Sequence, residues 1–321
     1  METQPDKDAP HEGNWHLLVI GFPHVAKPLA LASGISLRPL FEPLSLFDLA
    51  ASGAAGFRTW AVLVPVAGAC TCEIETAFDS DVTPGYDKLN RAWLASAMLV
   101  LRGFTRHLCV ACSSYSWNDI AGHQKRTASV FHQQFTDEGP ENAVYSSKRA
   151  LPSFQGNLLD FHLKLIVNSA SRTDEISETD AAWVYDNFDK FNRLAANNEP
   201  FQFALESCID WRYAKDARSA VARLWSGIEA IFGISSVLVY RISLLSASLL
   251  VSRGPERKEK FNEVKQLYGL RSKAVHGEKL TDAKLAEALN GSFLLLADLL
   301  MLAVERGHAF SQDDFDRAVF E

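Results

Sequence analysis

An arginine and a histidine lie five positions apart in the stretch Leu267-Tyr268-Gly269-Leu270-Arg271-Ser272-Lys273-Ala274-Val275-His276-Gly277, at the end of a predicted helix. Arginine is a permanent, forked cation that suits phosphate oxygens, and histidine can exchange a proton near neutral pH. Cleavage of an RNA backbone needs both kinds of group: a proton carrier at the 2′-hydroxyl or the leaving oxygen, and a cation at the crowded phosphate. The stretch therefore indicates phosphate chemistry at a helix end.

The spacing of these two residues is unusual for a single helix face. Five positions on an ideal helix differ by about 140° in azimuth, since each residue turns the helix by about 100°. Gly277 offers an explanation, because a glycine just past a helix end adopts the left-handed capping conformation without steric cost. We therefore expect His276 to be the last helical residue or the first beyond it, and Thr281-Asp282 to begin the next helix.

The motif resembles the Arg-x4-6-His signature of the HEPN superfamily, an all-helical group rich in metal-independent RNases of bacterial defence and toxin–antitoxin systems. Six residues fit the wording Y-x-x-R-S-x-x-V-H-G of its Apea-like branch: Tyr268, Arg271, Ser272, Val275, His276 and Gly277. The upstream segment 223–233, RLWSGIEAIFG, resembles the W-x-x-(I/L)-E-x-(I/L)-F helix of that branch. The similarity covers residues 173–321, less than half of the chain.

The resemblance implies a fold, an activity and a set of site residues. It implies a C-terminal helical bundle and a metal-independent endoribonuclease, in which Arg271 holds the phosphate and His276 acts as general acid or base. Supporting and RNA-binding residues would complete the site: Glu229, Ser272, Tyr268, Lys273 and Lys279. It also implies a homodimer formed through the helical domain, so that two motifs meet in one cleft, and it implies no metal or other cofactor.

One departure from the family pattern keeps a second reading open. Many catalytic members carry Asn, Asp or His directly after the arginine, where this chain has Ser272. The alternative is a non-catalytic HEPN module that binds RNA, a nucleotide or a protein partner. A third reading gives the main function to the N-terminal domain and leaves the bundle to dimerise. A protein inhibitor or activator is a further expected partner.

The composition is that of an ordinary globular protein, with 321 residues, of which 47% are hydrophobic and 22% charged. The length suggests two domains, and the net charge of −7 gives no global sign of nucleic-acid binding. The charge is uneven, however, because residues 253–279 contain eight Lys or Arg against four Glu. A local positive patch on an acidic chain can still concentrate a polyanion.

The N-terminal residues, the apolar runs and the cysteines together predict the cellular compartment. Residues 1–13 are polar and slightly acidic, unlike a signal peptide. The runs 237–251 and 293–304 are shorter than the about 20 residues of a membrane span, and Arg241 and Asp298 interrupt them. Five cysteines without a secretory signal favour a reducing environment. We therefore expect a cytoplasmic protein without membrane contact.

Residues 1–150 have the pattern of a mixed α/β domain, for which a sensor or regulatory role would suit a catalytic bundle. Strands are predicted at 15–20, 29–37, 59–66, 70–78 and 108–113, and a helix at 87–103. In the strand 70–78 alternation places Glu73 on the polar face. Cys70, Cys72, Cys109 and Cys112 could supply four thiolates to zinc. Their positions on predicted strands favour buried packing instead.

The rest of the chain changes character. Residues 136–157 are predicted as a loop. Residues 151–172, which overlap the end of this loop, are predicted to be a linker or connecting strand. Within them, residues 159–167 alternate between apolar and polar side chains as a strand does. Residues 173–321 carry helical apolar stripes, from which we predict about five main helices and a bundle core. The whole chain is therefore predicted to be α+β.

Glu229 is singled out by its position beside an apolar stripe that contains Trp225 and Phe232. A carboxylate near a bundle core favours a cationic partner. Arg271 and Arg241 are the candidates, and pairing with Arg271 would orient its guanidinium.

Overall fold

The computed structural model of the chain describes residues 14–23, 25–50, 53–76, 88–122, 156–158, 166–234 and 238–321. It has the α+β class that the sequence predicts, with one antiparallel sheet and a set of helices concentrated toward the C-terminus. Two compact units are interleaved along the chain. The first comprises Met1–Trp93, His107–Phe161 and Asp174–Ala182, and the second Leu94–Arg106, His162–Thr173 and Trp183–Glu321.

The sheet of the first unit has six described strands in the spatial order β2-β3-β4-β1-β5-β6, and every pairing is antiparallel. The strands are β1 Trp15–Ile20, β2 Leu29–Ala32, β3 Ile35–Pro39, β4 Cys70–Thr76, β5 Leu108–Ser113 and β6 Gly156–Leu158. In β1, Leu17 pairs with Ile74 on one side and Cys112 on the other. Leu18 and Val19 of the same strand are fully buried, so the sheet is covered on both faces there.

Eleven α-helices lie within the described residues. They are α1 Leu46–Ala50, α2 Gly53–Leu63, α3 Lys88–Leu101, α4 Trp117–Ile120, α5 Glu178–Asn197, α6 Glu199–Asp210, α7 Ala217–Phe232, α8 Leu238–Leu250, α9 Pro255–Val275, α10 Asp282–Arg306 and α11 Gln312–Phe320. Seven of them follow residue 173, where about five were predicted.

Most predictions for the first half are confirmed, and two are wrong. Strands β1, β4 and β5 and helix α3 lie where the patterns predict them. Residues 59–66 were expected to form a strand but belong mainly to α2, whose buried residues Gly56, Thr59 and Leu63 recur at helical spacing. The single strand expected at 29–37 is a hairpin, β2 and β3, which turns at Gly34 with φ of 69°.

Two further predictions fall largely outside the described residues. The loop predicted at 136–157 is described only at its end, where Gly156–Leu158 forms β6 against β5. The strand predicted at 159–167 is described only at residues 166 and 167, which are not in a strand.

Helix α7 is the central helix of the second unit. It packs against α6, α9 and α10, and it buries Leu224, Trp225 and Ile228 completely. Its N-cap is Asp216, whose carboxylate accepts from the Ser219 N–H at 2.9 Å. Packing on three sides fixes the rotation of α7, and with it the side chains that α7 presents to α9.

Helix α10 is longer than the apolar run that the sequence shows. At 25 residues it is long and apolar enough to cross a membrane by length and composition. However, 61% of its most apolar window is buried inside the protein, as in the core helix of a bundle. Phe293, for example, packs at 5.7 Å from the ring of Trp211.

Candidate functional site

His276 lies at the corner between α9 and α10. It is the C-cap of α9, with φ of −82° and ψ of 6°, and its ring is exposed. Gly277 follows with φ of 74° and donates to the Ala274 carbonyl, and Glu278 donates to the Lys273 carbonyl at 3.0 Å. These two bonds form a Schellman motif. The predicted glycine cap and the predicted position of His276 are both confirmed.

The other side of the corner is also built as predicted. The Thr281 hydroxyl accepts from the Lys284 N–H at 3.3 Å and caps the start of α10. The turn between the helices therefore has a defined backbone at both ends, with His276 at its beginning.

Arg271 projects from α9 toward α7. Its Nη2 donates to Glu229 Oε1 at 3.1 Å, so the predicted contact with Glu229 is present. Both side chains are partly exposed, at 21% for the arginine and 26% for the glutamate. An ion pair of that exposure contributes about 1 kcal/mol or less to stability. Its larger effect is to fix the direction of the guanidinium.

Tyr268, three residues before Arg271 in α9, packs against its guanidinium. The guanidinium carbon lies 5.5 Å from the tyrosine ring centroid, within the range of a cation–π contact. The Tyr268 ring stands edge-on to Trp225 at 5.2 Å, and Trp225 Nε1 donates to the Ser292 hydroxyl at 2.8 Å. Tyr268 is half-buried and belongs to this packed column, which connects Arg271 to the core.

The structure does not join Arg271 to His276. Among the described residues, no hydrogen bond or ion pair links the guanidinium to the imidazole, and no carboxylate pairs with His276. Ser272 is half-buried, and its hydroxyl has no hydrogen-bond partner in the described part of the chain. Lys273 and Lys279 are exposed, and neither ammonium forms an ion pair with a described residue.

Arg271 keeps hydrogen-bonding capacity beyond its pair with Glu229. A guanidinium carries five N–H donors. One of them serves Glu229, and the buried Nε has no partner in the described chain. The buried Nε cannot reach a ligand in solvent, so a further anion would bind the remaining Nη donors of this side chain, which is 21% exposed.

A second arginine, Arg218, contacts the corner and was not identified from the sequence. It lies in the first turn of α7, and its Nη1 donates to the Ala274 carbonyl at 2.9 Å. Its Nη2 donates to the Glu278 carbonyl at 2.7 Å. Since 55 or more residues separate the partners, no local pattern could reveal the contact.

The first unit contains a buried carboxylate that was also missed. Glu73 was expected on a half-exposed face of β4 but is completely buried. It accepts from the Ser116 hydroxyl at 2.8 Å and from the Trp117 N–H at 2.6 Å, while His16 Nδ1 lies 3.5 Å away. Arg38 lies 3.8 Å from the same carboxylate.

These contacts decide the charge state of Glu73. Burial raises the pKa of the carboxyl, but the neighbouring His16 and the donors Ser116 and Trp117 outweigh burial and hold the pKa below its ordinary value. Because two of those donors begin α4, the carboxylate ties that helix to the sheet.

The five cysteines are thiols that form no disulfide. Cys70, Cys72 and Cys112 are buried, and burial raises the pKa of the Cys70 thiol to about 12. Burial also raises the pKa of Cys72 and of Cys208. Within the described ranges, no three His, Cys, Asp or Glu side chains are placed to hold a metal ion.

Neither a family model, nor a curated protein, nor a solved structure matches this chain.

Proposed function

We propose that the chain is an endoribonuclease that needs no metal, with His276 as the proton carrier and Arg271 as the phosphate-binding cation. One observation carries the proposal: an exposed imidazole stands at an ordered helix corner, five residues beyond an arginine that Glu229 holds in place. The similarity of this stretch to HEPN proteins supports the same reading. The exposed Lys273 and Lys279 would add contacts to the RNA backbone.

The reaction would be attack of a 2′-hydroxyl on the adjacent phosphorus. The O2′–P bond forms and the P–O5′ bond breaks, which leaves a 2′,3′-cyclic phosphate and a 5′-hydroxyl. His276 would take the proton of the 2′-hydroxyl or give a proton to the departing O5′. Arg271 would stabilise the charge that develops on the phosphoryl oxygens. DNA has no 2′-hydroxyl and would not react.

Two copies of the chain would supply what one lacks. A single imidazole cannot be base and acid at the same moment, and Arg271 forms no hydrogen bond with His276 within one chain. In a homodimer formed through the second unit, the arginine of one copy and the histidine of the other could face one phosphodiester. The expected stoichiometry in solution is therefore two.

The direct test is cleavage of a fluorescent RNA in EDTA by the full chain and by Arg271→Ala and His276→Ala. Arg223→Ala is the matched control, because Arg223 is also a partly exposed arginine paired with a carboxylate, Asp210 at 3.4 Å. We expect losses of about 100-fold or more for the two site variants, in line with the removal of an acid–base or charge-stabilising group. The control should retain wild-type activity.

Two results would end the nuclease proposal. Equal cleavage by all four proteins would identify a contaminating nuclease. Cleavage of an oligonucleotide with a 2′-deoxy residue at the scissile position would exclude attack by the 2′-hydroxyl.

Relief of toxicity on expression by either site variant would place the enzyme among toxins or defence nucleases.

A non-catalytic HEPN module is the second proposal, and one observation favours it. The charge of Arg271 is already paired with that of Glu229, and Ser272 stands where many catalytic members of the family that the motif resembles carry Asn, Asp or His. Such a module would bind RNA, a nucleotide or a protein partner through the same surface. Salt-dependent RNA binding without cleavage, weakened by charge removal at Lys273 and Lys279, would favour this proposal over the nuclease.

A further inference from the structure

His276 lies at the C-terminal end of α9, and a helix C-terminus by itself disfavours the negatively charged phosphates of RNA. A helix C-terminus presents its last carbonyl oxygens and carries the negative end of the helix dipole, and in α9 the Lys273 and Ala274 carbonyls each accept one Schellman N–H. Phosphates favour the opposite end, where N–H groups are free. A phosphodiester that approaches His276 would therefore meet carbonyl groups at the end of α9.

Arg218 covers those carbonyl groups. Its guanidinium donates to three main-chain oxygens of the corner: Lys273 at 3.4 Å, Ala274 at 2.9 Å and Glu278 at 2.7 Å. These oxygens lie before and after His276 in the sequence, so one rigid planar group spans the turn on both sides of the histidine. The Schellman bonds of Gly277 and Glu278 use the same turn.

The charge of Arg218 is not neutralised by a carboxylate. Arg271 is paired with Glu229 and Arg223 with Asp210, whereas no described Asp or Glu forms an ion pair with Arg218. The side chain is partly exposed, so its positive charge reaches the solvent beside His276. Together with Lys273 and Lys279 it places three cationic side chains at this helix end, where Glu278 and Asp282 are the nearby carboxylates in the sequence.

We infer that Arg218 is the positioning residue of the site: it locks the turn that holds His276 and makes this helix C-terminus acceptable to an RNA phosphate. The inference rests on the proposed function for its second part only. Arg218 acts through the backbone and through its charge, and it takes no proton in the reaction. A lysine cannot replace it fully, because an ammonium lacks the planar fork that reaches three carbonyls at once.

Amide hydrogen exchange of the full chain tests the positioning without any assumption about catalysis. In Arg218→Ala, exchange at Gly277 and Glu278 should become about tenfold faster or more, because the turn loses its three side-chain bonds and can open locally. Arg218→Lys should also exchange faster. Arg223→Ala, on the same helix, should leave both amides unchanged. Unaltered exchange in Arg218→Ala would overturn the inference.

Kinetics of RNA cleavage test the second part. Misplacement of a catalytic group by about 1 Å can cost about 100-fold in rate, so Arg218→Ala should lower kcat by about tenfold to 100-fold. Arg218→Lys should keep most of the affinity for a non-cleavable 2′-deoxy-substituted oligonucleotide, since it keeps the charge, but should lose kcat. A purely stabilising arginine would change the melting temperature and leave kcat unchanged in the folded variant, which would refute the inference.

The two arms separate failure of the inference from failure of the proposed function. If the wild-type protein cleaves no RNA, the nuclease proposal fails, and hydrogen exchange still decides whether Arg218 holds the turn. If the wild-type protein cleaves RNA and Arg218→Ala matches it in both kcat and exchange, the nuclease proposal stands and the role of Arg218 is refuted.

Discussion

Replacement of Gly227 by alanine tests the packing that aims Glu229 at Arg271. A Cβ at position 227 would lie 2.8 Å from Ser207 Cβ, 2.9 Å from Leu296 Cδ2 and 3.3 Å from Ala204 Cα. The leucine can rotate, but the two contacts to α6 involve a Cβ and a backbone atom, so α6 and α7 must separate. Overpacking of this kind costs about 1–3 kcal/mol.

Helix propensity opposes that cost. Alanine in a helix interior is favoured over glycine by about 1 kcal/mol. The net effect of Gly227→Ala should be a loss of about 0–2 kcal/mol in the free energy of unfolding. Gly269→Ala is the matched control, because Gly269 lies inside α9 and a Cβ there meets nothing within 4 Å. The control should gain about 0.5–1 kcal/mol from propensity alone.

The assay is thermal unfolding of both full-length variants beside the wild type. For a unit of this size, about 2–4 °C corresponds to 1 kcal/mol, so Gly227→Ala should melt lower by up to about 8 °C and Gly269→Ala slightly higher. Glu229 lies about 200° around α7 from Gly227, so the displaced helix should also weaken the contact with Arg271. Shifts of the same sign in both variants would refute the packing argument.

Three other expectations follow from buried groups. Ser292→Ala leaves the Trp225 indole N–H without an acceptor in the core. It should therefore lower the free energy of unfolding, measured in urea, by about 1–3 kcal/mol. A loss below about 0.5 kcal/mol would mean that the indole finds another partner. Because the pKa of Glu73 is below its ordinary 4.5, its contribution to stability is complete above about pH 4.5 and is lost as the pH falls through the folded-state pKa. Glu73→Gln should therefore be less stable than wild type at neutral pH, and urea unfolding should show the gap closing in acid; a constant gap would contradict the assignment. The buried thiols of Cys72 and Cys208, whose pKa is raised, should resist a disulfide reagent near pH 8 in the native protein and react after unfolding; rapid native reaction would show that these segments open.

The parts of the fold that sequence predicts well have local causes. The alternation in β4, the helical stripe in α3 and the glycine that ends α9 each follow from residues within one element. The cap at Gly277 was predictable because a left-handed residue after a helix favours glycine regardless of the rest of the molecule.

The errors have causes that lie far along the chain. Residues 59–66 are rich in β-branched and aromatic side chains, which favour strands, yet tertiary packing of Gly56, Thr59 and Leu63 makes the segment helical. Glu73 sits at an alternating polar position, but Ser116 and Trp117 cover that face from 43 and 44 residues away. Local pattern contains no information about such partners.

The site divides in the same way. Sequence motifs in two helices identified Arg271, His276 and Glu229, and the contact between Arg271 and Glu229 is present. The contact of Arg218 with the corner depends on how α7 packs against α9, which no local sequence pattern encodes.

The interleaving of the two units along the chain has a practical consequence for expression. A fragment that stops at residue 150 would carry Leu94–Arg106 without the helices they belong with, and a fragment that starts at residue 173 would lack them. The first truncation would separate apolar side chains such as Leu99 and Phe104, which are buried in the intact molecule, from the rest of their unit, and the second would remove them. Cloning should therefore keep the polypeptide whole, and insoluble halves would say nothing about whether the native protein is active.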